Sequence, residues 1–357
     1  MRDIMKHHRK GATWGFMNIR KVAEMAGVSV ATISRVLNHP EQVLPETRDH
    51  VLAVMKEQNY TPNWFARGLN LGTTKTVALL VPEIESETQQ RIISGIETVA
   101  RNKGYAVFFC NTHGNAQIEE ESLHMCENRR VDGIALVSTN LAKERVLQTR
   151  ESGIPCVHVG KNRDSGCDTL CYIDFEEGAY RLTRHLLSFG YRSIGLVRNL
   201  AERNMSAQME AGFANAIRES QQEIETRLYA CEASVQSGYL FAQQLMQQDV
   251  LPQALITAGD GQALGVLKAA QDANISVPQK LALASMTDSP VCGLVNPPIT
   301  ALELPASKLG MAAGRLLFDS IENKELELGV PQEMVLQPKL KIRRSCGNEK
   351  YIYELFD

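Results

Sequence analysis

The sequence predicts a small all-α head followed by a larger α/β body built from two lobes. Three observations carry that prediction. Residues 18–61 place apolar side chains at helical spacing, with no strand-like alternation. From Lys75 onward, short apolar runs alternate with amphipathic stretches, the pattern of parallel sheets covered on both faces. The charge changes with the pattern: residues 1–75 carry 11 Lys/Arg against 6 Asp/Glu, although the whole chain of 357 residues has a net charge of −3. A basic head on an acidic body points to a polyanion that meets the head alone.

Composition narrows the class further. Hydrophobic residues make up 44% and charged residues 22%, as in an ordinary folded protein. No stretch approaches the 18 uninterrupted apolar residues of a membrane span, and MRDIMKHHRKGATWGF lacks the apolar centre of a secretory leader, so a cytoplasmic protein is expected. The eight cysteines form no CxxC pair and no cluster with histidines, which predicts reduced thiols and no metal site.

The head reads as three helices. Asn18 is placed to cap the first, with Val22, Ala23, Met25 and Ala26 inward and Gly27 ending it. Ser29 caps the second, from Val30 to Leu37, with Ile33, Val36 and Leu37 on one face. The third runs from Thr47 to Gln58 with Val51, Leu52 and Met55 inward. Two short helices joined by A-G-V-S fit a helix-turn-helix, because the small residue and the glycine permit the sharp corner. On periodicity alone a generic three-helix bundle is the preferred reading.

In the body, strands are expected at 76–81, 105–110, 133–137, 156–159, 169–173, 193–197, 254–257 and 281–285. Helices are expected at 89–102, 119–129, 177–188, 207–220, 235–248, 262–271 and 306–321. This is too much for one modest open sheet, so two lobes follow, with ligands expected in a cleft at the strand carboxyl ends.

The string N-I-R-K-V-A-E-M-A-G-V-S-V-A-T-I-S-R-V-L-N, followed by P-E-T-R-D-H-V-L and N-Y-T-P-N-W-F-A-R-G-L, closely resembles the DNA-binding head of the lactose-repressor/galactose-repressor (LacI/GalR) family. The likeness is gapless over about fifty residues, with Lys21 standing where an acidic residue is usual. Looser matches, among them R-R-V-D-G-I-A-L-V-S, Y-I-D-F-E-E-G-A-Y and N-P-P-I-T-A-L, extend it to about residue 346 and resemble the family's periplasmic-binding-protein-like effector domain.

The resemblance implies a repressor that acts as a homodimer on a near-palindromic operator in double-stranded DNA. Its fold would be a small all-α helix-turn-helix head plus an α/β two-lobed periplasmic-binding-protein-like effector domain. The expected divisions are an extension at 1–17, the head at 18–61, a hinge at 62–74, the effector and dimerisation domain at 75–346, and a tail at 347–357. The extension is read as upstream sequence ahead of a start at Met17, the competing view being a basic arm with Lys6, Arg9 and Lys10. With no leucine heptads after Cys346, a dimer is favoured over a tetramer.

The same resemblance assigns site residues. In this geometry the second helix enters the major groove. Val30, Ala31 and Arg35 would face bases, and Arg35 can donate two hydrogen bonds to a guanine. Asn18, Ser29, Thr32, Ser34 and Asn38 would touch phosphates, with a pure helix cap equally open for Ser29. In the hinge, Asn63 and Arg67 would make polar DNA contacts, and Leu69 would wedge between base steps of the minor groove. Effector residues by register are Ser86, Thr88, Gln89, Lys161, Asp174, Arg203, Met209, Asp260 and Met286.

The effector set is where the chain departs from its family. The aromatic pair that stacks on flat rings gives way to Thr88-Gln89, an arginine gives way to Met209, and a further aromatic to Met286. A polyhydroxylated effector, a sugar or sugar phosphate, is therefore expected over a planar purine. Two other classes remain: a solute-binding protein without regulatory role, and an NAD(P)-dependent oxidoreductase using Gly259-Asp260-Gly261-Gln262-Ala263-Leu264-Gly265. That turn is G-x-G-x-x-x-G, one residue longer than the dinucleotide fingerprint, and no catalytic or metal motif accompanies it, so no enzyme activity and no cofactor are expected.

Overall fold

The computed structural model describes residues 18–58, 60, 73–84, 86–162, 164–200, 202–248, 250–323 and 332–347. The chain divides into two compact units, Met1–Thr74 and Lys75–Asp357. The expected extension at 1–17, the hinge residues Asn63, Arg67 and Leu69, and most of the tail lie outside the described residues.

The first unit contains α1 (Ile19–Met25), α2 (Val30–Asn38) and α3 (Pro45–Glu57). Asn18 Oδ1 accepts from Lys21 N–H at 3.0 Å and Ser29 Oγ accepts from Thr32 N–H at 3.1 Å, so each side chain satisfies a helix-start donor that would otherwise lack a partner. Gly27 makes the corner with φ +61°, a left-handed conformation that costs glycine little. The core is Val22, Ala23, Ala26, Ile33, Val36, Val51 and Met55. Met25 and Leu52, both expected inward, are 51% and 45% exposed. Each follows a polar or buried neighbour by about 100° around a short helix, which carries it off the packed stripe.

The second unit has two six-stranded sheets. In the first, the order is β11 (Gln332–Leu336), β5 (Thr169–Ile173), β4 (Cys156–Val159), β3 (Gly133–Val137), β1 (Thr76–Val81), β2 (Ala106–Asn111), all parallel. In the second it is β12 (Lys339–Lys341), β10 (Thr300–Glu303), β9 (Ala282–Ser285), β8 (Ala254–Thr257), β6 (Ser193–Asn199), β7 (Glu225–Cys231), parallel except for β12. The first lobe carries α4 (Glu87–Asn102), α5 (Ala116–Asn128) and α6 (Lys143–Glu151). The second carries α7 (Phe175–Ser188), α8 (Arg203–Glu219), α9 (Val235–Leu245), α10 (Asp260–Asp272) and the short α11 (Pro290–Leu294). The last helix, α12 (Ala306–Glu322), packs on α4 and so returns to the first lobe.

The chain thus crosses between lobes three times, after β5, after β10 and between β11 and β12. One hydrophobic core takes Leu79, Val157, Leu196 and Ile256 from the two sheets together with Leu182 of α7 and Leu309 of α12. Separate cores cover the outer face of each sheet.

Strands β7, β10, β11 and β12 and helix α6 were not expected from the sequence. Three of those strands lie at sheet edges with one face in solvent, so β7 and β11 alternate or stay exposed in place of a continuous apolar run. Helix α6 buries only Val146 and Thr149, too little for an apolar stripe.

Candidate functional site

The exposed face of α2 is set by the buried one. With Ile33 and Val36 packed inward, helical geometry turns Val30, Ala31 and Arg35 to solvent, and Ser29 ahead of them is exposed as well. Val30 is 40% exposed, an apolar group with no core role. The Arg35 guanidinium makes no hydrogen bond or ion pair within the described residues. The half-buried members are held: Thr32 Oγ1 lies 2.9 Å from Ser29 Oγ, and Asn38 donates to Ser34 Oγ at 3.2 Å. One helix therefore offers a bidentate donor, two apolar groups and a row of hydroxyls on one surface.

In the second unit both lobes share the strand order in which β1 and β6 lie between the next strand on one side and the one after it on the other. The crevice beyond the carboxyl ends at these switch points is where α/β sheets bind ligands. The first lobe brings Glu83, Ser86 and Thr88 there, all half-buried, and the second brings Glu202, Arg203 and Asp260. Asp260 opens α10 behind its N-cap Gly259. Its carboxylate accepts from Thr287 Oγ1 at 2.6 Å, and its own N–H donates to that same oxygen at 2.9 Å, which fixes the carboxylate's direction. Burial, and secondarily the Glu83 carboxylate from the opposite lobe, push Glu202 up to about 7. Gln89 is buried, and its Oε1 has no partner within the described residues.

Several expected effector residues are occupied otherwise. Met209 and Met286 are fully buried in the shared core, so they shape the lobe and present no surface to a ligand. Asp174 is the N-cap of α7: its Oδ1 accepts from Glu177 N–H at 3.1 Å, its Oδ2 from Gln337 Nε2 at 3.4 Å, and its N–H donates to Leu336 O at 3.0 Å. These bonds tie the β5 crossover to the β11 crossover, a structural task. Lys161 is paired with Glu176 at 3.1 Å. A cavity of about 390 Å³ includes Lys161 and Asp174 beside Glu176, Glu177 and Glu219, but none of Ser86, Thr88, Arg203 or Asp260.

The glycine turn at 259–265 serves helix packing. A Cβ on Gly265 would lie 2.2 Å from Val235 O, and one on Gly238 would lie 2.4 Å from Gln262 O, so α9 and α10 approach backbone to backbone there. Gln262 Oε1 accepts from Gly259 N–H at 3.1 Å, closing the turn internally. Glu83, Glu202 and Thr287 are cleft residues that sequence reasoning missed. The only signals were the acidic run after β1 and the T-D following Met286.

A helical head with an exposed recognition-type helix, carried on a two-lobed α/β body, defines a DNA-binding regulator with a ligand-binding fold. Residues 18–63 match the bacterial regulatory proteins of the lacI family, and residues 183–346 match the periplasmic binding protein-like domain. The HTH-type transcriptional repressor PurR of Proteus mirabilis is 31% identical over 339 residues, 94% of this chain and 98% of that protein. The lac repressor dimer bound to operator and the anti-inducer ONPF matches with a TM-score of 0.81 at 21% identity, over 92% of this chain and 99% of that one. The CelR–cellobiose complex matches with a TM-score of 0.67 at 25% identity, with the same coverage. The chain belongs to the lacI family: it is a DNA-binding transcriptional repressor and not an enzyme. No helix among the described residues is long and apolar enough to cross a membrane.

Proposed function

We propose that the protein represses transcription as a homodimer on a near-palindromic operator, released or engaged by a neutral polyhydroxylated effector held in the cleft of its second unit. The observation that supports the operator reading is the exposed guanidinium of Arg35, without a partner among the described residues, on the same face as Val30 and Ala31. Arg35 reads a guanine, Val30 and Ala31 meet a thymine methyl, and Ser29, Thr32, Ser34 and Asn38 approach phosphates. Leu69, Arg67 and Asn63 complete the DNA contacts from the hinge. Arg35→Ala should cost about 1–3 kcal/mol on the operator and relax preference at one base pair. Footprinting followed by titration on single-base variants checks this, and a uniform loss on all sequences would make Arg35 a phosphate contact.

The polar lining of the switch points supports a sugar-like effector. Asp260, oriented by Thr287, accepts hydroxyl hydrogen bonds, and no aromatic stands at 88 or 89 to stack a flat ring. Glu83 and Glu202 set two carboxyl groups against the one guanidinium of Arg203 in the same crevice, which favours a neutral sugar over a sugar phosphate. The similar CelR structure holds cellobiose. Calorimetry against neutral sugars, sugar phosphates and purine bases decides the class. Asp260→Ala should weaken a sugar by about 1.5–3 kcal/mol, the range for hydrogen bonds to a charged group. Tight purine binding with no response to sugars would overturn this assignment.

A further inference from the structure

Helix α4 buries Gln89, Ile92, Gly95, Ile96 and Ala100, a stripe along one face in which Gln89 alone has a polar side chain. Ile92, Ile96 and Ala100 belong to the core that the two sheets share. Gln89 stands at the head of that stripe, in the first turn of α4, where the chain has just left the carboxyl end of β1 at the switch point. The packing of α4 on α12 fixes its place further. A Cβ on Gly310 would lie 2.1 Å from Ile92 O, one on Gly95 2.6 Å from Ser307 O, and one on Gly314 3.0 Å from Val99 Cβ, so the two helices run side by side in the same direction. One turn ahead of Ile92, Gln89 therefore lies beside the start of α12, where the chain crosses from β10 of the second lobe back to the first. That is the floor of the crevice between the lobes.

Gln89 is only 6% exposed, and its fully covered Oε1 has no partner among the described residues. Ser86, the N-cap ahead of it, makes no side-chain cap bond to the helix. An amide taken from water without a replacement bond costs folding free energy, and a methionine or leucine in the same stripe would not carry that cost.

We propose, resting on the sugar reading above, that Gln89 is the specificity-determining residue of the cleft: its amide hydrogen-bonds one hydroxyl of the effector and makes that hydroxyl obligatory. The terminal torsion of glutamine is broad, so either end of the amide turns toward the crevice at little cost. A hydroxyl both donates and accepts, and it serves the carbonyl or the NH2, whichever it meets. Because Oε1 is already cut off from water in the effector-free protein, a bond to it replaces no hydration and its strength appears in binding. An effector lacking the hydroxyl leaves the amide unpaired, which is how a site built around a buried polar group rejects a deoxy analogue.

The test is calorimetry of the full-length protein and of Gln89→Met against D-ribose, D-glucose, D-galactose and cellobiose, each with its monodeoxy analogues, alongside melting curves without sugar. The wild-type protein should reject one deoxy position roughly tenfold to a hundredfold. Gln89→Met, which keeps the side chain's length, should bind that analogue and its parent alike. Without sugar it should melt about 2–4 °C higher, because the unpaired amide is gone. A sugar that binds with a flat deoxy series on the wild-type protein overturns the assignment and leaves the sugar reading in place; this arm needs no variant. Discrimination retained in Gln89→Met does the same. Binding of none of these sugars by the wild-type protein removes the sugar reading and the assignment with it. A lower melting temperature in both Gln89→Met and Gln89→Leu means that the amide is paired within the fold, and it overturns the assignment whatever the ligand.

Discussion

At Glu202 one carboxyl carries the electrostatics of the cleft. Burial comes first and the Glu83 carboxylate second, and together they raise it to about 7 from the ordinary range near 4.5. Between those values the folded protein holds a proton that the unfolded chain has released, so rising pH removes stability through that window. Glu202→Gln should therefore raise the melting temperature at pH 8 and change it little at pH 4.5. Melting curves at both values check this, and an equal gain at both would show that the charge is not the cause. The neighbouring side chains show how far a sequence exposes such a site. Asp260 is an acidic group at the start of a helix after a strand, a pattern that fits a helix cap equally well, and only the family resemblance assigns it to the effector set. Asp174 has the same appearance in the sequence, yet it spends both oxygens on Glu177 N–H and Gln337. Only the third dimension brings residue 337 beside residue 174. The family resemblance assigns Met209 and Met286 to the effector set, and their apolar side chains lie in the core.

Among elements, α2 has two separable requirements, to be a helix and to present a surface. Ser29 serves the first through Thr32 N–H at 3.1 Å. Ser29→Ala should lower the head's stability by about 1 kcal/mol, and Ser29→Gly by only a few tenths. If the hydroxyl also meets a phosphate, both variants lose operator affinity alike; melting and operator titration of the pair separate the two roles. Helices α9 and α10 make a different demand, since a methyl at Gly265 would lie 2.2 Å from Val235 O. Gly265→Ala should destabilise the second lobe by about 1–3 kcal/mol through overpacking, measurable by denaturant midpoint. The elements that sequence periodicity located are those with a full apolar stripe or run, such as β1, β3, α4 and α12. Edge strands β7 and β11 escaped because most of their residues are exposed and none is buried, and a polar edge strand carries no signal that distinguishes it from a loop.

Across the whole second unit, the crossovers and the shared core decide how the lobes behave together. Three chain segments pass between the sheets, and α12 leaves β10 of one lobe to pack on α4 of the other. Leu79 and Val157 from the first sheet belong to the same buried cluster as Leu196 and Ile256 from the second. A lobe that unfolded alone would expose its share of that cluster and strand the crossover bonds of Asp174. Residues 75–347 should therefore melt in one cooperative transition, with calorimetric and van't Hoff enthalpies in agreement. An effector that binds only the folded cleft adds RT ln(1 + [L]/Kd), about 2.7 kcal/mol at a hundredfold excess over Kd. That increment should appear on the single transition, and Asp260→Ala should shrink it without splitting the peak. Two resolved transitions in the second unit, only one of them moved by ligand, would mean that the lobes fold independently and that the common core does not couple them.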